Sequence, residues 1–366
     1  MNYSLKIISV AILISIIGVF TIYSSTFQEE DLDLRTIFKR QIVWIVLGLL
    51  SFLFMSRFQY RRLWDLTYFL YGAMFFLLVL VYITGHISSG AQRWLKIFWL
   101  NFQPSEFAKL VIVIFLARYF SYKSVSDTRI PARNFGVVKG LILPLMFVVI
   151  PMGLILGQPD LGSASMLFFI FVVMLHLSDM RLKRIIIFLM VIVLLLPVFW
   201  LFLRDYQKER LLVFINPNLD PLGAGYTVIQ SKIAIGSAGL AGKGWLFGTQ
   251  SQLHFLPESH TDFIFATFAE QWGFLGSIFL LFLYYILIKY SLDIAARTSD
   301  YFGKLLAGGI ASIFFGQIFI NIFMVMGLAP VVGLPLILMS YGGSSIFITF
   351  ISLGILVNIN RERMVF

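Results

Sequence analysis

Residues 185–203 read IIIFLMVIVLLLPVFWLFL and contain no charged side chain. A helix of about 20 apolar residues crosses the hydrocarbon core of a bilayer. The run is continuous and does not alternate apolar with polar residues, so it predicts a transmembrane helix and not a barrel strand. Further runs of this kind bring the predicted number of spans to ten, at about 5–23, 39–56, 66–84, 104–120, 138–157, 163–178, 185–203, 262–289, 302–326 and 335–358. We therefore expect an all-α integral membrane protein, with residues 1–366 forming a single polytopic domain.

The composition supports this class. The chain is 59% hydrophobic and 13% charged, whereas soluble domains average about 45–50% apolar and about 25% charged residues. The absence of cysteine excludes disulfides and thiolate chemistry. The net charge of +10 is explained by basic loops against anionic lipid headgroups, so we expect no nucleic-acid partner. We also expect neither nucleotide nor haem as a cofactor.

Basic residues indicate the topology, because Lys and Arg concentrate in cytoplasmic loops. Placing both termini in the cytoplasm assigns most of the short-loop Lys and Arg to that side. The residues between 204 and 261 then form a long extracytoplasmic loop between spans seven and eight. This loop is rich in glycine and contains apolar stretches, so we expect it to be folded and partly membrane-dipping. The cytoplasmic set is Lys6, Arg57, Arg61, Arg62, Arg118, Lys123, Arg129, Arg133, Lys139, Arg181, Lys183, Arg184, Lys289, Arg297, Lys304, Arg361 and Arg363.

Several titratable and polar groups precede span eight, in the sequence ESHTD at residues 258–262. Ionisable groups at the border of a membrane bundle are functional candidates. Partial burial would raise the pKa of Asp262 towards the range of a general base, and the carboxylate could instead hold a cation. Glu258 and His260 could tune Asp262 or share that cation. The alternative is a capping box formed by Ser259 and Asp262.

Two candidate substrate-binding pairs lie before the middle of the chain. Glu106 and Lys109 are three residues apart on a helix that starts after Pro104, so they share a face. The lysine could contact a phosphate or a sugar, or the pair could neutralise itself. Arg93 and Trp94 could bind a carbohydrate or a pyrophosphate, or anchor the chain at the membrane interface.

The remaining candidates are weaker. Asp160 lies in a tight turn, which turn chemistry alone would explain, or it could contact the substrate near the site. Lys232 and Lys243 lie in the long loop beside glycines and could contact an anion. Gln317 and Asn321 are four residues apart on span nine, and we expect them to hydrogen bond across helices, or else to line a lipid groove. The small residues at 342–345 (GGSS) predict close helix packing.

Taken together, these motifs resemble the SEDS family (shape, elongation, division and sporulation). The resemblance covers essentially the whole chain. It is closer to the elongation branch than to the division branch, because GTQS at 248–251 precedes FLPE at 255–258. At position 271 this chain has Gln where the family commonly has an acidic residue. The other motifs that carry the resemblance are PSEFAK at 104–109, QPDLG at 158–162, GKG at 242–244, HTDFIFA at 260–266 and SYGGSS at 340–345.

The resemblance implies a bacterial peptidoglycan glycosyltransferase in the plasma membrane. It would act on lipid II and release a polyprenyl pyrophosphate, with a class B penicillin-binding protein as partner. The family's essential aspartate falls on Asp262. Arg93, Lys109, Lys232 and Lys243 would then contact pyrophosphate or glycan, and a divalent cation, Mg²⁺ or Mn²⁺, is a candidate cofactor with Asp262 as its candidate ligand.

Three other functions fit a polytopic chain with these residues. A lipid II flippase or another transporter would place its polar site at the bilayer midplane, whereas these candidates cluster at one mouth. A scaffold for the penicillin-binding protein would tolerate loss of Asp262. A different polyprenyl-dependent glycosyltransferase would share the architecture and differ in the glycan that it accepts.

Overall fold

The computed structural model describes residues 3–29, 31–88, 91–97, 100–121, 136–203, 205–223 and 225–362. Lys123, Arg129, Arg133 and Arg363 of the predicted cytoplasmic set lie outside these ranges. The described chain is mostly helical. Its α-helices are α1 (Tyr3–Ser25), α2 (Leu32–Arg35), α3 (Ile37–Arg57), α4 (Arg62–Thr84), α5 (Pro104–Phe120), α6 (Leu143–Gly157), α7 (Leu161–Leu177), α8 (Leu182–Phe202), α9 (Asp205–Ile215), α10 (Tyr226–Gly236), α11 (Thr249–Gln252), α12 (Ile264–Arg297), α13 (Tyr301–Val325) and α14 (Gly343–Glu362).

Each predicted span overlaps one of these helices. Seven helical segments of the described chain are long and apolar enough to cross a membrane: α1, α3, α4, the segment Val138–Gly157, α12, α13 and α14. In the fourth of these, a π-helical turn at Val138–Ile142 leads into α6. The other predicted spans coincide with α5, α7 and α8. The chain is therefore a multi-pass membrane protein.

One segment departs from the all-α prediction. Residues 86–102 contain a three-stranded antiparallel sheet of β1 (His86–Ser88), β2 (Ala91–Ile97) and β3 (Leu100–Phe102). The strands are short and the sheet is antiparallel, so it forms within one connection between α4 and α5. Arg93 and Trp94 lie on strand β2 of this sheet. Strand β3 is followed directly by α5, which begins at Pro104.

The core of the bundle is formed by α5, α13 and α14. The apolar windows of α13 and α14 are 83% and 89% buried, against 22% to 39% for the other candidate spans. Small residues allow the close approach, as predicted for 342–345. A methyl group on Gly343 would lie 1.9 Å from the Trp44 ring of α3. These central helices are therefore closely packed beneath the connections at their ends.

The predicted spans eight and ten are interrupted by irregular backbone. Helix α12 is kinked at Gly273, which has a φ of +66°. Loop 239–244 packs on this kink through backbone bonds such as Phe274 N to Gly239 O, 3.0 Å, and Lys243 N to Glu270 O, 2.9 Å. Irregular backbone at membrane depth is tolerated where protein satisfies its polar groups. The long loop is therefore folded against α12 here, and its dipping into the membrane stays a prediction.

The connection between α13 and α14 is the second irregular segment. Residues 326–342 are apolar, and residues 335–342 are predicted as the start of span ten, yet helix α14 begins at Gly343. The chain here is held from outside: Gln317 Nε2 donates to the Pro335 carbonyl at 2.9 Å and Tyr284 Oη to the Ile337 carbonyl at 2.8 Å. We call residues 326–342 the α13–α14 connection. It passes beside the turn that carries Asp262.

Candidate active site

Asp262 lies in the turn just before α12. The helix begins at Ile264, so its N-cap residue is Phe263. No side chain makes a capping hydrogen bond there. The capping-box interpretation of Ser259 and Asp262 is therefore wrong. Within the described chain, no donor hydrogen-bonds to the Asp262 carboxylate, which is partly exposed. A carboxylate of this kind is available to a ligand.

The surroundings of Asp262 set its proton affinity. Burial raises the pKa of Asp262 to about 7, and the nearby negative charge of Glu258 contributes in the same direction. Arg93 lowers it, Asp160 raises it slightly, and Arg210 lowers it slightly. A general base is most effective when its pKa is near the working pH. The pKa of Asp262 therefore lies near neutral pH, in the range that a general base would need.

Arg93 and Asp262 face each other across Gly333 of the α13–α14 connection. A methyl group on Gly333 would lie 3.4 Å from Asp262 Oδ2 and 4.0 Å from Arg93 Nη1. Gly333 has a φ of +70°, a conformation that glycine adopts without strain. The glycine thus leaves open space between a carboxylate and a guanidinium.

Two arginines line this side of the site through backbone contacts. Arg93 Nε donates to the Gln158 carbonyl at 3.3 Å, and its Nη2 donates to the Pro159 carbonyl. Arg210, from α9 of the long loop, donates to the Val331 carbonyl at 3.3 Å. The sequence analysis did not single out Arg210. In the sequence it ends a short charged run, KER at 208–210, before an apolar stretch, and only the fold brings it towards Asp262.

Asp160 is explained by turn chemistry. Its carboxylate caps α7 by accepting from Ser163 N at 3.0 Å, and it also accepts from Gln103 Nε2 and Ser105 Oγ, both at 3.1 Å. The side chain is 1% exposed. Asp160 therefore joins α5 to α7 and acts on Asp262 only through its charge.

His260 is adjacent to the site. Its ring lies 6.3 Å from the Tyr341 ring, centroid to centroid. Burial lowers the pKa of His260, against the opposing charges of Glu258 and Glu29. The imidazole is thus favoured in its neutral form, which can donate or accept a hydrogen bond. Trp94 lies next to Arg93 on β2 and is partly buried.

Glu106 and Lys109 do not reach the open site. Lys109 Nζ lies 2.7 Å from Glu106 Oε1 and 2.8 Å from Gln317 Oε1. The two charged side chains are 4% and 1% exposed. Gln317 thereby makes the bond across helices that its spacing predicted. This geometry favours the self-neutralising alternative, and substrate contact by Lys109 stays a prediction.

The two lysines of the long loop lie elsewhere. Lys243 Nζ pairs with Glu270 Oε1 of α12 at 2.7 Å, and Thr249 Oγ1 donates to the same oxygen at 3.0 Å. Lys232 is exposed on α10 and lies across Gly327 at the end of α13. The structure therefore brings Arg93, Asp160 and His260 around Asp262, and places Glu106, Lys109, Lys232 and Lys243 outside that group.

The residues suit a metal only in part. In the described ranges, no group of three or more His, Cys, Asp or Glu side chains could hold an ion. Mg²⁺ commonly binds through one or two carboxylates together with the phosphates of a substrate. A cation at Asp262 would thus depend on oxygens that a substrate brings.

Comparison with known proteins identifies the family. The family model for FtsW, RodA and SpoVE, described as a cell cycle protein, matches residues 4–365. The chain belongs to the SEDS family. Among SEDS relatives, the peptidoglycan glycosyltransferase MrdB of Escherichia coli K12 is 43% identical over 89% of this chain and 86% of its own length. The peptidoglycan glycosyltransferase RodA of Treponema pallidum is 32% identical over 95% of both chains.

Solved SEDS structures share the fold. A chain from the structure of a peptidoglycan synthase complex, described as coordinating polymerization and crosslinking, has a TM-score of 0.82, with 33% identity over 98% of this chain and 97% of that one. The rod shape determining protein RodA of Thermus thermophilus has a TM-score of 0.71, with 28% identity over 98% of this chain and 96% of that one. The membership of this chain thus rests on sequence and on fold independently.

Proposed function

We infer that this chain is a peptidoglycan glycosyltransferase that polymerises lipid II into glycan strands during cell elongation. Relatives with this activity in their names are 43% and 32% identical over most of the chain. The observation that carries the mechanism is the Asp262 carboxylate, which has a pKa of about 7 and no hydrogen-bond donor within the described chain. It stands beside a guanidinium at the mouth of a membrane bundle.

In the proposed reaction, Asp262 removes the proton from the 4-hydroxyl of a GlcNAc unit. The hydroxyl oxygen forms a bond to the anomeric carbon of the donor MurNAc as the bond from that carbon to the diphosphate oxygen breaks. The electron pair of the broken bond leaves with the polyprenyl diphosphate, and the proton stays on Asp262 until solvent removes it. One base and no covalent nucleophile are needed for an inverting transfer.

The departing diphosphate needs positive charge. Arg93 lies across Gly333 from Asp262, and Arg210 approaches from the long loop. We assign the diphosphate to these two guanidinium groups, since arginine pairs well with phosphate oxygens. A divalent cation held between Asp262 and the diphosphate would neutralise the same charge.

The same proposal covers topology. We propose that the ten helices corresponding to the predicted spans cross the bacterial plasma membrane as one polytopic domain. Both termini are then cytoplasmic, and the loop between α8 and α12 faces the exterior. This places Asp262 on the outer side, where a lipid-linked glycan would be polymerised. The basic residues that flank the short loops support this orientation.

We propose a class B penicillin-binding protein as the working partner. The support is the fold shared with a chain of a peptidoglycan synthase complex at a TM-score of 0.82. A partner that crosslinks strands would receive the glycan as it leaves the site. Purified chain and partner, mixed with lipid II in detergent, should form long glycan strands. A flippase would form none, because detergent leaves no second compartment.

An apolar groove between α1 and α12 can hold the polyprenyl chain. It has a volume of about 440 Å³ and is lined by Leu13, Ile17, Phe20, Trp245, Phe268, Trp272, Gly276 and Phe279. We expect Ile17→Trp to fill part of it and to raise the KM for lipid II about tenfold, which corresponds to about 1.4 kcal/mol of lost binding. A lipid II analogue with a short, water-soluble tail should show no such increase. An equal effect on both substrates would contradict the assignment.

The pH dependence of the reaction should follow Asp262. Its raised pKa means that kcat/KM is low below pH 7, where the carboxylate is protonated, and rises to a plateau above it. Because the charge of Glu258 raises this pKa, Glu258→Gln should move the midpoint to lower pH. The measurement is initial lipid II polymerisation rate against pH. As a control, Asp65→Asn changes an exposed carboxylate in the first turn of α4, and it should leave the pH midpoint unchanged.

A further inference from the structure

The backbone that carries Asp262 is held by neighbouring elements. Three consecutive carbonyls before α12 each accept a hydrogen bond from the C-terminal half of α13 or from the α13–α14 connection. The turn is therefore fixed in position before the helix begins. The bonds are Tyr341 N to the His260 carbonyl at 2.9 Å, Ser340 Oγ to the Thr261 carbonyl at 2.6 Å, and Asn321 Nδ2 to the Asp262 carbonyl at 2.9 Å.

Of these three bonds, the one from Asn321 lies nearest the Asp262 carboxylate. The Asn321 side chain is fully buried. The same Nδ2 also donates to the Leu334 carbonyl at 2.7 Å. Two carbonyl oxygens can be satisfied only by the NH₂ side of the amide, so the orientation of the amide is determined. The side chain is 0% exposed. Asn321 thus bridges two stretches of chain that have no helix in common.

The other end of this amide is unsatisfied. Asn321 Oδ1 is buried and has no hydrogen-bond partner in the described chain. Leaving a buried acceptor unpaired costs about 1–3 kcal/mol, and the two bonds that Nδ2 donates hold the amide in this orientation despite that cost. The Asn321 side chain is therefore placed by the Asp262 and Leu334 carbonyls, and it links their positions to each other.

The two bridged stretches are the two walls of the site. One carries Asp262, and the other carries Gly333, the residue before Leu334, where a methyl group would lie 3.4 Å from Asp262 Oδ2. Asn321 therefore sets the width of the gap between the carboxylate and the chain opposite. A shift of either wall would change the approach of a hydroxyl to Asp262.

We propose that Asn321 is a positioning residue, whose amide fixes the Asp262 carboxylate relative to the Gly333 wall for proton transfer. This inference rests on the proposed role of Asp262 as the base. The amide does not touch the reacting atoms, and it acts through the backbone of residue 262. Its loss should affect the chemical step more than substrate binding.

The test is Asn321→Leu, assayed on purified folded protein with lipid II. A misplacement of about 1 Å can cost about 100-fold in rate, so we expect kcat to fall by about 10- to 100-fold while KM changes less than about twofold. The midpoint of the pH profile should also move to lower pH, because a released carboxylate gains water. The charged groups around the Asp262 carboxylate are unchanged in this variant; they are Glu258, Arg93, Asp160 and Arg210. Asn321→Gln, which keeps the donor group, should recover part of kcat.

Tyr284→Phe is the matched control. The buried Tyr284 hydroxyl donates to the Ile337 carbonyl of the same connection at 2.8 Å, and it makes no bond to residues 260–262. This variant should lose stability and keep kcat and the pH midpoint. Should Asn321→Leu fold poorly, Asn321→Ser supplies a smaller perturbation with the same expected direction in kcat.

Two outcomes separate this inference from the function on which it rests. If Asn321→Leu and Asn321→Ser match Tyr284→Phe, with normal kcat per folded molecule and an unmoved midpoint, the positioning role is wrong. If Asp262→Asn remains fully active, the proposed base is wrong. An inactive Asp262→Asn beside normal Asn321 variants would overturn only the positioning role.

Discussion

Replacing Asp262 with asparagine is expected to lower the rate of lipid II polymerisation by about 100- to 10,000-fold, the contribution of a positioned general base. The amide has nearly the shape of the carboxylate and cannot accept the proton of the attacking hydroxyl. Since no donor of the described chain bonds to this carboxylate, folding should be little affected. The measurement is glycan formation by purified protein with its partner in detergent.

The control for Asp262→Asn is Asp65→Asn, the same chemical change at an exposed position at the start of α4. Both variants should retain partner binding and thermal stability, which shows that the loss of activity is not a loss of fold. Repeating the assay over a series of Mg²⁺ and Mn²⁺ concentrations separates a base from a cation ligand. Partial recovery at high cation concentration would favour the ligand, and full activity of Asp262→Asn would reject both roles.

Replacing Lys109 with methionine is the second large effect. It leaves the Glu106 carboxylate buried without its partner at 2.7 Å. Removing one member of a buried ion pair costs about 3–5 kcal/mol. We expect a strongly reduced thermal midpoint, or loss of folded protein, measured in detergent. Lys304→Met, at an exposed position of α13, should have little effect.

The double variant Glu106→Gln with Lys109→Met decides between the two interpretations of this pair. With both charges removed, the unpaired carboxylate is gone and stability should largely return. If the pair is structural, polymerisation returns with it. If Lys109 contacts the diphosphate in another conformation, the stable double variant should remain impaired in KM.

Continuous apolar runs predicted where the ten long helices lie, because hydrophobic length is what a bilayer selects, although α12 continues to Arg297, beyond its predicted end at 289. The run at 335–358 was less informative. Residues 326–342 are as apolar as a span, yet they form an irregular segment whose carbonyls accept hydrogen bonds from distant helices, for example from Gln317 and Tyr284. A hydrophobic pattern reports only the local preference of the chain. It cannot show hydrogen bonds to residues that are distant in the sequence. The kink at Gly273 was missed for the same reason, since loop 239–244 stabilises it.

The site shows the same division. Asp262 was a candidate because a carboxylate at the start of an apolar helix is either a cap or a functional group, and its catalytic role stays a prediction. The arginine that faces it could be named as a candidate, although its position across Gly333 depends on the fold of a small sheet. Arg210 was missed because it lies within a loop whose path no local pattern determines. Lys243 looked free in the sequence, and its buried partner Glu270 became evident only in three dimensions.

The irregular α13–α14 connection has a consequence for biogenesis. Its peptide groups take their partners from α12, α13 and α3, for example Gln41 Nε2 of α3 donating to the Ser340 carbonyl at 2.9 Å. An isolated hairpin of α13 and α14 would expose those groups to hydrocarbon, where nothing can satisfy them. We therefore expect the last two helices to pack after the rest of the bundle has assembled. The region around Asp262 would then form late in membrane insertion, and a chain stalled before its final helix would lack it.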